Sequence, residues 1–380
     1  MLLNKNTNIE YKKENKDNKE NINYINKNID NIDNINDKNI KNDILKKDNK
    51  IYSKEELKNI KCLTKLLSEN NPDLYQQLED FEYLDSGGES NVYNVTLKKH
   101  KKKYVLKLII NDKKEKRNLR EIKISKKLKH KNIIDLIYHT PLNNTESDII
   151  LMEQASLGNL RNFIYKKLKR NYCSETMLCY ITFQILSGLK YLQNQKIVHY
   201  DIKPANIIMD DKLNIKLIDF SVSLNYSKIN TDEIKLKFSG TQFYMPPEVI
   251  KEKTVKLKDV NKIDMYSLGV LIYKFAFCCY PYNLKNEDTD YDKIYNKIMN
   301  NKLEIGSEDG KYSEFFVNFL KKLLEKDITK RINIDEALED YWIKGADILM
   351  EEKEKLFNAD SFLINLLMEN FYEYNYYMKK

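Results

Sequence analysis

The sequence predicts an α+β fold, strand-rich between residues 81 and 155 and helical beyond. Two patterns and one cluster lead there. From Phe81 onward, short apolar runs alternate with polar turns, and residues 104–110 read as a buried strand. Longer runs follow, with helical spacing over 175–193 and a largely apolar stretch over 265–282. Between those runs stands His199-Tyr200-Asp201-Ile202-Lys203-Pro204-Ala205-Asn206, and thirteen residues past Asn206 comes Asp219.

In chain order, residues 1–50 are dominated by Asn, Lys, Asp and Ile. Such a composition buries too little apolar surface to offset ordering entropy, so a disordered extension is expected. Ser53-Lys54-Glu55-Glu56 is a capping signal, and Leu57, Ile60, Leu63, Leu66 and Leu67 recur at helical spacing. A helix over 53–69 is expected within a helical N-terminal extension spanning 51–80. Leu84-Asp85-Ser86-Gly87-Gly88-Glu89-Ser90-Asn91-Val92-Tyr93 reads as strand, turn, strand, which alone would be an ordinary hairpin. Lys107 lies inside an apolar strand, where a charge is costly unless paired. Glu121, fourteen residues on at the start of a helical pattern, is its expected partner. Residues 149–155 form a strand running into a polar linker; helices are expected over 160–168 and 175–193. The run 265–282 is interrupted by Lys274 and short for a membrane span, so it reads as a buried core helix. An amphipathic, aromatic-rich tail is expected over 344–380.

Composition narrows the partners. The formal charge of +8 is a weak pull toward acidic surfaces, and the lysine clusters at 98–103, 126–131 and 166–170 lack interleaved aromatics. They read as solvated faces, so neither nucleic acid nor membrane is an expected partner. Five cysteines form no CxxC pair, which argues for reduced thiols in an intracellular, cytoplasmic or nuclear protein. The chemistry lies in the central loops. Asp201 can accept a hydroxyl proton, Asp219 and the Asn206 amide can hold Mg²⁺ by oxygen, and Lys203 can stabilise charge on a transferred phosphoryl group.

With these loops go Gly240-Thr241 and Pro246-Pro247-Glu248, Asp264-Met265-Tyr266-Ser267-Leu268-Gly269, and Arg331. In this order and spacing, over about residues 81–343, they resemble the eukaryotic-type serine/threonine protein kinase family. The resemblance implies a bilobal protein-kinase-like fold: a small antiparallel-sheet lobe plus one helix, a larger mainly helical lobe, and ATP in the cleft. It implies Asp201 and Lys203 as catalytic, with Thr241 bonding both, Asn206 and Asp219 as Mg²⁺ ligands, Lys107 with Glu121 on the α- and β-phosphates, and a Glu248–Arg331 pair. Leu84, Gly87, Val92, Val105, Met152, Glu153, Ala155 and Ile208 are the implied remaining ATP contacts. Asp85 and Ser90 replace two glycines of the phosphate loop, which loosens that clamp.

Tyr200 replaces the arginine that grips an activation-segment phosphate in many family members, and Lys237 stands where the phosphorylated residue often is. Activity without that phosphorylation is expected. Asn159, Ala205 and Lys274 fill positions that are acidic in members selecting upstream arginine, so a protein substrate not selected by upstream Arg is expected, from a monomeric enzyme. A scaffold with weak or no turnover is the alternative. A small-molecule kinase of similar fold conflicts with Gly240-Thr241 and Pro247-Glu248.

Overall fold

A computed structural model describes residues 53–86, 90–110, 117–142, 147–162, 173, 175–305 and 312–344. The expectations for residues 1–50, Gly87, 163–168 and 345–380 fall outside the described residues. The chain divides into two compact units: one holds residues up to 118 and 136–154, the other 119–135 and everything from 155 on.

The first unit begins with α1 (Lys54–Asn70), started by a capping box. The Ser53 side chain accepts from Glu56 N–H while the Glu56 carboxylate accepts from Ser53 N–H. A short helix, α2 (Pro72–Gln77), follows, capped by Asn71. Then comes an antiparallel sheet in the order β1-β2-β3-β5-β4, built from β1 (Leu78–Ser86), β2 (Ser90–Leu97), β3 (Lys102–Ile110), β4 (Leu136–Pro141) and β5 (Ser147–Glu153). Pairing places Tyr93 opposite Leu106 and Leu106 opposite Leu151, so these share one face. Ile60, Leu63 and Leu67 of α1, each at most 1% exposed, pack into the cluster of that face with Val95, Leu108 and Ile149. Burial of such side chains is worth about 1.5–3 kcal/mol each. The helix is therefore part of this unit's core. The other face carries Val92, Lys107 and Ile150 in one cross-strand row and Val105 and Met152 in the next.

In the second unit, α3 (Arg117–Ser125) crosses the division and carries Glu121, which is buried. The stretch after it is tied to this unit: Ile134 N–H donates to Leu217 O, Leu217 N–H to Asn132 O, and Lys129 N–H to the Tyr191 hydroxyl. Those bonds tie the residues after Asn118 to this unit, whereas the family resemblance places this helix with the sheet. The core is formed by α4 (Glu175–Asn194) and α5 (Lys262–Phe277), both largely buried. The helix expected over 265–282 thus ends early. Cys278 caps it in the left-handed conformation, and Pro281 three residues on has no N–H with which to continue it. The sole tryptophan, Trp342, packs on Phe316 and Phe319 and donates to Glu175. All five cysteines are free. Among the described residues no helix is long and apolar enough to cross a membrane.

Candidate active site

In the second unit a short antiparallel pair, β6 (Ile207–Met209) with β7 (Ile215–Leu217), sets the two polar loops side by side. Ile218 N–H donates to Asn206 O at 3.0 Å, and the His199 ring bonds Ile218 O at 3.0 Å. Asp219, the next residue, is thereby fixed beside the loop that carries Asp201. Its own backbone is left-handed, with φ of 68°.

The segment holding Asp201 is anchored from below. Asp264, buried at the start of α5, accepts from His199 N–H at 2.7 Å and Tyr200 N–H at 2.8 Å. Burial pushes the Asp264 carboxyl above its ordinary range, although His199 and those two donors oppose the shift. Ser223 Oγ donates to His199 O, and the His199 and Phe220 rings lie 5.1 Å apart.

Around Asp201 the side chains close a circuit. Thr241 Oγ1 donates to Asp201 Oδ1 at 2.7 Å and accepts from Lys203 Nζ at 2.7 Å. Lys203 Nζ also lies 2.7 Å from Asp201 Oδ2, and Asn206 Nδ2 donates to Asp201 O at 3.0 Å and Oδ2 at 2.9 Å. Only a glycine can precede Thr241. Gly240 has φ of 109°, and a Cβ there would stand 2.7 Å from Tyr200 O. Because Asn206 spends its NH₂ on Asp201, its carbonyl oxygen is turned to the other side of the amide. An amide oxygen and a carboxylate on adjacent loops are the hard oxygen donors that suit Mg²⁺, which keeps further positions for water and phosphate. The residues present fit that ion.

Chemistry of this sort matches a shared architecture. The family model described as "Protein kinase domain" matches residues 78–343. The chain belongs to the protein kinase domain family. Its small antiparallel-sheet unit and larger, mainly helical unit are the family's α+β fold. It is similar to a probable serine/threonine-protein kinase of Zea mays, CCRP1, 31% identical over 70% of this chain and 41% of the relative. It resembles death-associated protein kinase 2 of Mus musculus, 32% identical over 64% of this chain and 63% of that protein. The MAP kinase kinase skh1/pek1 of Schizosaccharomyces pombe is 31% identical over 63% of this chain and 65% of that protein. The chain thus spans between 41% and 65% of the length of these relatives.

The other residues singled out from the kinase motifs fall into place by unit. Asp201, Lys203, Asn206 and Asp219 lie together in the second unit, with Ile208 on the half-exposed side of β6 between buried Ile207 and Met209. Val92, Val105, Lys107 and Met152 share the sheet face turned away from α1. Leu84 sits at a bulge between the pairs Tyr83–Tyr93 and Asp85–Val92 and is 45% exposed. Glu153 ends β5, and Ala155 follows at the division between units. Glu248 and Arg331 form the anticipated pair: Arg331 Nη1 donates to Glu248 Oε1 at 2.6 Å and Nη2 to Oε2 at 3.1 Å, both side chains buried.

Spacing did not reveal two contacts. The Tyr200 hydroxyl donates to Lys237 O at 3.2 Å, with burial raising its pKa well above the ordinary tyrosine value. A strip of rings runs from Phe243 to Tyr280, 4.6 Å between centroids, with Lys274 Nζ 3.5 Å above the Tyr280 ring. Neither has a local sequence signature, since the partners are 37 residues apart in the first case and 37 in the stacked pair of the second.

Proposed function

We propose that the chain is an active, ATP- and Mg²⁺-dependent serine/threonine protein kinase whose activation segment needs no phosphate to be ordered. The observation that carries the reading is the circuit among Asp201, Lys203, Asn206 and Thr241. Asp201 accepts the proton of the substrate hydroxyl, and Thr241 and Lys203 hold its carboxylate at the height of that hydroxyl. Lys203 also faces the charge that develops on the transferred group. Asn206 and Asp219 would hold Mg²⁺, which neutralises phosphate charge when bound with ATP. Lys107, with Glu121 as the partner that the family resemblance implies, would orient the α- and β-phosphates. Leu84, Val92, Val105, Met152 and Ile208 would enclose the adenine, and backbone groups of Glu153 and Ala155 would bond its edge.

Order in the activation segment is supported by protein contacts in place of a phosphate clamp. Tyr200 bonds Lys237 O, and the strand Glu233–Lys235 pairs with Thr254–Lys256. Leu236 N–H donates to Lys253 O, and the Phe238 ring meets Tyr291 edge-on at 4.6 Å. With Asn159, Ala205 and Lys274 where carboxylates would recruit arginine, substrates are not chosen for upstream basic residues. The free thiols support an intracellular enzyme, and a monomer suffices for every role assigned.

The test is ATP turnover with a mixture of protein acceptors, for wild type against Asp201→Asn and Asp219→Asn. Each variant should lose about 10²–10⁴-fold in kcat. Wild type no faster than either variant would replace the enzyme with a scaffold.

A further inference from the structure

We infer that Lys274 selects an acidic side chain on the protein substrate of this site, a deepening that rests on the kinase reading above. Lys274 lies in the last turn of α5, flanked by buried Tyr273 and Phe275, and is itself only half-buried. Its ammonium stands 3.5 Å above the centre of the Tyr280 ring. Among the described residues it makes no ion pair. A cation near a helix C-terminus is favourable in its own right, which would account for a lysine at this turn. It does not account for where the lysine's ring leads. Tyr280 stacks on Phe243, 4.6 Å between centroids, and meets Tyr244 edge-on. Phe243 is two residues beyond Thr241, whose hydroxyl touches Asp201.

A continuous strip therefore joins the proton acceptor to a positive charge that has no ion-pair partner among the described residues. Its links set an upper bound of about 24 Å on the path, some seven residues of extended peptide. A substrate bound with its hydroxyl at Asp201 can thus bring a neighbouring side chain to Lys274. Among the described residues no carboxylate is bonded to it. Asp288, whose backbone oxygen accepts from Gln242 Nε2 beside Phe243, has its carboxylate on Lys297 at 2.7 and 2.8 Å and on Lys285 N–H. That engagement holds the Asp288 carboxyl below its ordinary range, so it stays ionised and occupied. A substrate carboxylate meets the ammonium from the side away from the ring, while a substrate lysine or arginine meets repulsion. The aromatic seat limits the freedom of the lysine, so less ordering is needed on binding than for a solvated side chain.

The experiment uses the full chain and serine peptides carrying one Asp, Ala or Lys at each position from seven before to seven after the acceptor. Wild type should favour Asp over Ala at one position by about 5–20-fold in kcat/KM, mostly through KM. Lys274→Glu should make Lys the best and Asp the worst residue at that same position. Lys274→Met, which keeps length and apolar contact with the ring, should level all three and carries the test if Lys274→Glu fails to fold. A wild type indifferent to charge at every position, or a preference unaltered in both variants, overturns the inference and leaves the kinase reading standing. Wild type that transfers phosphate to no peptide or protein acceptor overturns both.

Discussion

Replacing Arg331 by Met should unfold the second unit's stabilising centre far more than its single charge suggests. The Arg331 side chain is fully buried, and Glu248 is 4% exposed. Besides the two bonds to Glu248, Arg331 donates to Lys262 O at 2.9 Å and Glu325 O at 2.8 Å and lies over the Tyr266 ring. Methionine fills much of the volume, so the loss is electrostatic: a buried carboxylate without its counter-charge. Breaking one side of a buried pair costs about 3–5 kcal/mol. Each kcal/mol lowers the melting temperature of a domain of this size by about 2–4 °C, so a drop of about 6–20 °C is expected in differential scanning fluorimetry at neutral pH. Glu248→Leu combined with Arg331→Met should recover most of the drop, because no lone charge remains. A single variant melting within about 2 °C of wild type, or a double variant no better than the single, would refute the reasoning. Glu248 begins seven residues past Thr241, so the same lesion should disturb the Asp201 circuit before global melting.

Other outcomes can be read with the same preparations. Protein stripped by a broad phosphatase should keep most of its transfer activity, since Tyr200 and the Glu233–Lys235 pairing hold the segment; loss of nearly all activity would count against that view. Tyr200→Phe removes only the bond to Lys237 O, worth about 0.5–1.5 kcal/mol, and should increase protease cleavage within residues 226–240; an unchanged cleavage rate would argue that the bond orders nothing. Leu63→Ala should cost about 2–5 kcal/mol, seen as a lower melting temperature, because Leu63 is fully buried against the sheet; a loss below about 1 kcal/mol would mean that α1 is not part of the core.

What the sequence discloses, and what it withholds, follows from range. Offsets of two, four and seven residues from His199 put Asp201, Lys203 and Asn206 on one short loop, and a thirteen-residue step covers the β6–β7 turn to Asp219. Such spacing is fixed by local backbone geometry, so it can be read directly. The link from Thr241 to Asp201 and from Glu248 to Arg331 spans 40 and 83 residues, and only resemblance to a family made these pairs visible. Where this chain departs from that family, the signal vanishes. Tyr200 shows in the sequence as a missing arginine; its bond to Lys237 O depends on a fold that carries the activation segment back over the loop. The apolar stripe of α1 announces a buried helix without naming the surface that buries it.

That last case bears on where the functional unit starts. The family model begins at residue 78, on the first residue of β1. Yet the sheet face opposite Lys107 is closed by Ile60, Leu63 and Leu67, and Leu74 of α2 joins the same cluster. Tyr93, whose hydroxyl donates to Asn59 O, sits on the strand next to Lys107's own and pairs with Leu106, the residue before it. Strand residues alternate faces, so the side that positions Lys107 and the side that α1 covers are two surfaces of one ribbon. A shift in how α1 seats would tilt that ribbon, and Lys107 with it. The helix upstream of the family boundary is therefore a structural support for the proposed phosphate-orienting lysine, acting through the thickness of a single sheet.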